Sequence, residues 1–217
     1  GPTIFDEKAP LSYRFQRMHD DISHAHEAIF GIAYRSETKN IMILREDFMT
    51  HRGFEGNLKY MRGEYDFIIN KYAMKGRTAI TNSPDALLIE DTPTKREWRN
   101  HRLFYMETRR HLLRKITHRM PQVIDGLFFH ASMLLPIVVA AYQTVEYNLP
   151  VMISAAVSLL LSIVLRTIIA RKRMPQFFAD IPAWKIVPLE IWQTFQKLIH
   201  WLAYKRADKY DFITHKI

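Results

Sequence analysis

No cysteine occurs in the 217 residues, which excludes disulfides and thiolate-bound metals and leaves the redox compartment unread. No signal peptide opens the chain; it begins Gly1-Pro2 rather than with methionine, and reads as a processed product or a piece of something longer. A glycine-rich phosphate loop is lacking, as are internal repeats and low-complexity runs. Acidic and basic side chains nearly vanish between residues 126 and 170, where only Glu146 and Arg166 remain. Residues 1–120, in contrast, are polar and charged.

What is present begins with that apolar half. GLFFHASMLLPIVVAAYQTV (126–145) is followed after the break EYN by LPVMISAAVSLLLSIVLRTIIA (149–170). Each run has about 20 residues, or about 30 Å as a helix, the thickness of a bilayer's hydrocarbon core. So short a break permits only a tight helical hairpin, with both ends on one side of a membrane. Pro136 sits inside the first run, where a neighbouring helix tolerates it. The net charge is +9, and much of the excess flanks the hairpin in RRHLLRKITHR (109–119) and ARKRM (170–174). The tip carries no lysine or arginine, so the charge bias places both termini in the cytoplasm. Positive charge beside apolar spans, rather than over a folded face, points to anionic lipid headgroups and away from nucleic acid.

Beyond the hairpin, PAWKIVPLEIWQTFQKLIHWLAYKRADKY (182–210) repeats apolar residues at helical spacing: Ile191, Phe195, Leu198, Ile199 and Leu202. Trp184, Trp192, Trp201 and Tyr204 accompany them, with Lys197 and Lys205 nearby. This pattern predicts an amphipathic helix lying in the membrane interface. Glu190, Gln193, Gln196, Lys197 and His200 argue against a third span.

The polar half reads as alternating helices and strands. Phe15, Met18, Ile22, Ala25 and Ile29 share a helical face that stops at Gly31. A strand is expected at Ile41–Leu44, a short helix at Arg45–Thr50 and a turn at Gly53. EYDFIINKYAMKG (64–76) reads as a helix closed by Gly76. Strands are expected at Thr78–Thr81 and Ala86–Ile89, around the turn Asn82-Ser83-Pro84-Asp85. Thr94 is placed to cap a helix from Lys95, with Glu97 completing a capping box, and this helix is expected to run into the basic collar of the hairpin. The predicted organisation is therefore an α/β portion at residues 1–120, a two-helix transmembrane hairpin at 121–171, and an interfacial helix and tail at 172–217.

Two stretches invite chemistry. HDDISHAH (19–26) mixes metal-ligating types, but His24 and His26 are two apart and point to different helix faces, so a metal site is not expected there. Glu64 and Asp66 follow Gly63 at the start of a helix. Either caps the helix and complements its positive end; equally, a carboxylate kept ionised there suits a general base.

The order of these stretches carries a resemblance. AYRSETKNIMILREDFMTHRGF, GEYDFIINKYA, EDTPTKREW and METRRHL, followed by a membrane hairpin, resemble the C-terminal half of a membrane-anchored family 2 glycosyltransferase of the type common in Bacteroidetes. The likeness covers roughly residues 28–217. It implies an incomplete GT-A-like α/β half, followed by the transmembrane hairpin and interfacial helix. It also implies an inverting enzyme of the bacterial inner membrane that transfers a sugar from a nucleotide-sugar to a glycan or lipid-linked acceptor. By that resemblance Asp66 is the catalytic base with Glu64 its neighbour, although Tyr65 stands where many relatives carry another acid. Arg110 and Arg109, in Glu107-Thr108-Arg109-Arg110-His111, fall on the basic motif that contacts diphosphate and acceptor, with Trp98 to Arg102 as a competing alignment. Asn40 falls on the asparagine-bearing strand. A divalent metal, magnesium or manganese, is implied for the parent enzyme, with ligands in an upstream half bearing an Asp-x-Asp motif that this chain lacks. The fragment alone is then expected to be inactive. A non-enzymatic membrane adaptor, recruiting a partner to anionic lipid, is the alternative reading.

Overall fold

The computed structural model describes residues 2–31, 33, 35–36, 40–58, 60–72, 76, 78–114 and 120–213. The described chain is mostly helical. In order, β1 is Thr3–Phe5, α1 Leu11–Phe30, α2 Arg45–Thr50, α3 Glu64–Tyr72, β2 Leu88–Glu90, α4 Lys95–His111, α5 Met120–Glu146, α6 Leu149–Arg173 and α7 Ile186–Arg206. Short 3-10 turns occupy Pro84–Ala86, Met174–Phe177, Ala183–Lys185 and Lys209–Phe212.

Several local expectations hold for stated reasons. α1 ends where Gly31 turns left-handed at φ 70° and its N–H reaches back to the Ala28 and Glu27 carbonyls. Thr94 and Glu97 form the full capping box at the head of α4. Asn148 caps α6, accepting from the Val151 N–H at 3.4 Å, directly after the hairpin turn.

The strand pattern is where the α/β expectation fails. Among the described residues β1 and β2 form the one sheet, in parallel, with Thr3 opposite Leu88 and Phe5 opposite Glu90, and a single antiparallel bridge joins Tyr60 to Ile213. Residues 41–44 and 78–81 are coil, and the expected strand at 86–89 is displaced to Leu88–Glu90 by the preceding 3-10 turn. The reason is pairing: a strand needs a neighbour that takes its backbone hydrogen bonds, and the ladder pairing among the described residues is that of β1 with β2 and the single Tyr60–Ile213 bridge. β1, by contrast, is not among the expected strands, although Thr3, Ile4 and Phe5 are all residue types that favour one. α4 also stops short of the hairpin, because Leu112 turns extended at ψ 142°. The basic residues Lys115 and Arg119 lie outside the described residues, as does the stretch 73–75 between α3 and Gly76.

α5 and α6 pack on one another as the hairpin. They are the two described helices long and apolar enough to cross a membrane, and only 11% and 6% of their most apolar windows are buried by the protein. A soluble core hairpin would be largely covered; this one offers Leu134, Leu135, Val138, Leu160, Leu161 and Ile168 outward. Arg171, Lys172 and Arg173 follow as an exposed basic end.

The residues after the hairpin are not a loose tail. Met174, Phe177, Ile181 and Ile186 form one core with Phe15 and Met18 of α1. Tyr204 and Phe212 form another with Leu103 and Met106 of α4. A third joins Phe5, Ala9, Tyr13 and Trp98. α4 thus touches both α1 and α7, which also meet each other, and α7 buries Val187, Gln193 and Tyr204 while Ile191, Phe195, Leu198, Ile199 and Leu202 remain exposed.

Candidate functional site

The acidic motif is built on one glycine. Gly63 has φ 97°, and a Cβ placed on it would stand 2.3 Å from Thr108 Cγ2 and 2.5 Å from Thr108 Oγ1. Only glycine allows both the left-handed backbone and this approach of the α3 head to α4. Thr108 closes the contact by donating its hydroxyl to the Arg62 carbonyl at 3.0 Å.

This geometry turns Asp66 inward and leaves Glu64 exposed. Asp66 is 5% exposed, and its carboxylate accepts the Ser36 N–H at 2.9 Å. The carboxyl is therefore engaged by a distant segment, not spent as a cap on its own helix. The sequence expectation of an ionised group is corrected here. Burial drives the Asp66 pKa up to about 7, outweighing the nearby Arg35 guanidinium and the Ser36 N–H.

Arg35 links this aspartate to a second. Asp20 of α1 lies between Arg35 at 3.3 Å and Arg102 of α4 at 3.2 Å, all three nearly sealed from solvent. Desolvation alone raises the Asp20 pKa, but Arg102 and Arg35 overcome it and hold the carboxyl well below the usual carboxylate range. Beside it Arg17 pairs with Glu90 of β2 at 3.0 Å. Sequence reasoning assigns no role to Asp20, Arg35 and Ser36, and places Arg102 solely in the competing alignment. A signal existed for the first: Arg17, Asp20, Asp21, His24 and Glu27 recur on one side of α1 and are all buried, a second covered face that the polarity of the residues disguised.

The remaining sequence candidates fall elsewhere. Asn40 donates its side-chain amide to the carbonyls of Ala86 at 2.7 Å and Pro2 at 3.3 Å, tying its segment to the leads into β1 and β2. Trp98 is buried, stacked on Tyr13 with centroids 4.1 Å apart and with the Arg102 guanidinium 4.4 Å from its ring centre. Its place in the fold is the packed core. Arg110 lies at the far end of α4 and donates to the Tyr204 hydroxyl of α7 at 2.9 Å. Tyr204 in turn donates to Glu107, which also holds His111 at 2.9 Å. Arg109 places its guanidinium 5.6 Å from the Tyr105 ring centre. The structure therefore brings Asp66 together with Arg35 and Ser36, whereas the Arg110 network joins α4 to α7.

A cavity of about 210 Å³ opens beside the Asp66 cluster, between α1, α3 and the 40–44 and 78–80 segments. Arg35 and Ser36, which hold Asp66, form part of its wall. Among the described residues no three His, Asp or Glu side chains converge to hold a metal ion, so the divalent ion implied by the resemblance finds no ligand set among them.

No protein family, no curated protein and no solved structure matches the chain.

Proposed function

We propose that the chain is the membrane-anchored C-terminal part of an inverting glycosyltransferase. It acts at the cytoplasmic face of a bacterial inner membrane, with both termini cytoplasmic. One observation carries the reading. The acid of the Gly63–Asp66 motif is fixed by a position that only glycine fits, and its pKa of about 7 suits a group that takes up a proton near neutral pH.

In the parent enzyme Asp66 accepts the proton of an acceptor hydroxyl as that oxygen attacks the anomeric carbon of a nucleotide-sugar. The bond from that carbon to the diphosphate oxygen breaks to release the nucleoside diphosphate. Asp66 is buried, so the Arg35–Ser36 segment must draw back for the acceptor to reach it. The donor and its divalent metal belong to an upstream half that pairs with the segments 41–44 and 78–81. These are coil here although their apolar side chains read as strands, and Met42 is 98% exposed. Arg110 and Arg109, near the membrane, are the proposed diphosphate contacts. α7 rests its exposed apolar stripe on the lipid surface.

The test is sugar transfer in membranes from cells carrying the parent gene, measured with labelled nucleotide-sugars. Asp66→Asn is expected to lower transfer by about 100-fold or more, the usual worth of a general base, and Glu64→Gln far less. Full transfer by Asp66→Asn, or an upstream reading frame without a donor-binding half, overturns the reading. In the second case a membrane adaptor that recruits a partner to anionic lipid becomes the better description.

A further inference from the structure

We infer that the cavity beside α1 binds a small uncharged hydroxylated ring, the size of one inositol or hexose, through Asp21 and His24. The inference goes beyond the transferase reading, which assigns nothing to α1.

Asp21 and His24 sit three residues apart on α1, and therefore on one helix face. Both line the cavity, and both are deeply buried, at 5% and 7% exposure. Yet Asp21 Oδ2 and His24 Nε2 have no hydrogen-bond partner. Buried polar atoms are almost always satisfied, and two orphans on the wall of one cavity mark where a ligand supplies the missing bonds.

Size and charge select the ligand. The volume of about 210 Å³ equals about seven waters, and it falls short of the roughly 300–1,000 Å³ that drug-sized ligands fill. A single ring matches this volume. Arg17 pairs with Glu90 at 3.0 Å and Arg35 with Asp20 at 3.3 Å, so the charge of each guanidinium is already partly balanced. Those same guanidinium groups repel a cation. Burial pushes the Asp21 carboxyl up to about 7 and the His24 imidazole down to about 3. Near neutral pH the pair therefore includes an uncharged imidazole beside a carboxyl that is partly protonated, a match for hydroxyl groups that both give and take hydrogen bonds. Ile68, Ile69 and Tyr72 add apolar wall for the C–H faces of a ring, with Tyr72 anchored by its hydroxyl to the Gly53 carbonyl at 2.8 Å.

Saturation-transfer NMR on the detergent-solubilised full chain, with myo-inositol and glucose as probes and glucuronate and glucosamine as charged counterparts, tests this. Transfer to the neutral rings is expected, with His24→Leu or Asp21→Leu weakening binding about tenfold, the order expected for a lost hydrogen bond in a dry site. The His24 Nε2 resonance of the wild-type chain is expected to move on adding inositol, a readout that needs no variant and no change in folding. Transfer undiminished in both variants overturns the site. So does an unmoved Nε2 resonance with no transfer to either neutral ring, the result if water alone fills the cavity. Stronger binding of a charged probe overturns the ligand class. Each outcome is read without sugar transfer, so it is separable from the fate of the transferase proposal.

Discussion

The Asp66 carboxylate and the Ser36 backbone N–H, 30 residues apart in the chain, meet at 2.9 Å in a part-buried contact. That single bond places the acid of the Gly63–Asp66 motif inside the fold, next to Arg35, rather than at a solvated helix mouth.

Burial of this group has a pH signature. The folded pKa of Asp66 lies at about 7, above its ordinary value of 3.8, and Asp21 is raised to about the same level. At these two carboxyls the folded state binds more protons than the unfolded state between those values, so their contribution to stability falls as pH rises through that window. The imidazoles of His24 and His101, lowered by burial to about 3 from an ordinary 6.5, act in the opposite sense. In thermal unfolding in detergent, the Tm of Asp66→Asn relative to the wild type is therefore expected to be higher at about pH 8 than at about pH 5.

Asp20 acts in the opposite sense. Its folded pKa lies below its ordinary value, so its contribution is present above the ordinary carboxylate range and is lost as pH falls through the folded value. Replacing it leaves Arg35 and Arg102 as buried guanidinium groups without their shared carboxylate. Asp20→Ala is expected to destabilise by about 3–5 kcal/mol, measured by denaturant unfolding monitored through Trp98 fluorescence.

Gly63→Ala adds a Cβ where Thr108 already stands, at a backbone angle that alanine disfavours. The expected loss is about 1–3 kcal/mol from the backbone alone, with the clash adding to it. Gly63→Ala combined with Thr108→Ala should recover part of the loss, because the clash is with the threonine side chain. A double-mutant cycle on Tm checks the coupling.

The exposed face of α7 yields a membrane prediction. Trp192 and Trp201 are about half exposed, whereas Trp98 is 5% exposed within the protein core. In single-tryptophan variants reconstituted with brominated lipid, Trp192 and Trp201 are expected to be quenched and Trp98 spared. Equal quenching at all three would show that α7 does not lie on the lipid.

The hairpin, the end of α1, the start of α4, and the glycine turns were legible in the chain because their causes are local. Length and apolarity make α5 and α6, a capping box starts α4, and left-handed glycines stop or bend the backbone at Gly31, Gly53 and Gly63. The amino-acid sequence by itself also placed Glu64 and Asp66 together at a helix start. Only the tertiary structure decided that Glu64 faces water and Asp66 does not, that Trp98 belongs to packing, and that Arg110 belongs to a network with Tyr204. Strand formation at 41–44 and 78–81 likewise depends on a neighbouring strand, and both segments are coil. The division has one physical cause. Turns, caps and spans are settled by a few adjacent side chains and the solvent, whereas the burial of a charge or the pairing of a strand depends on groups brought from dozens of residues away.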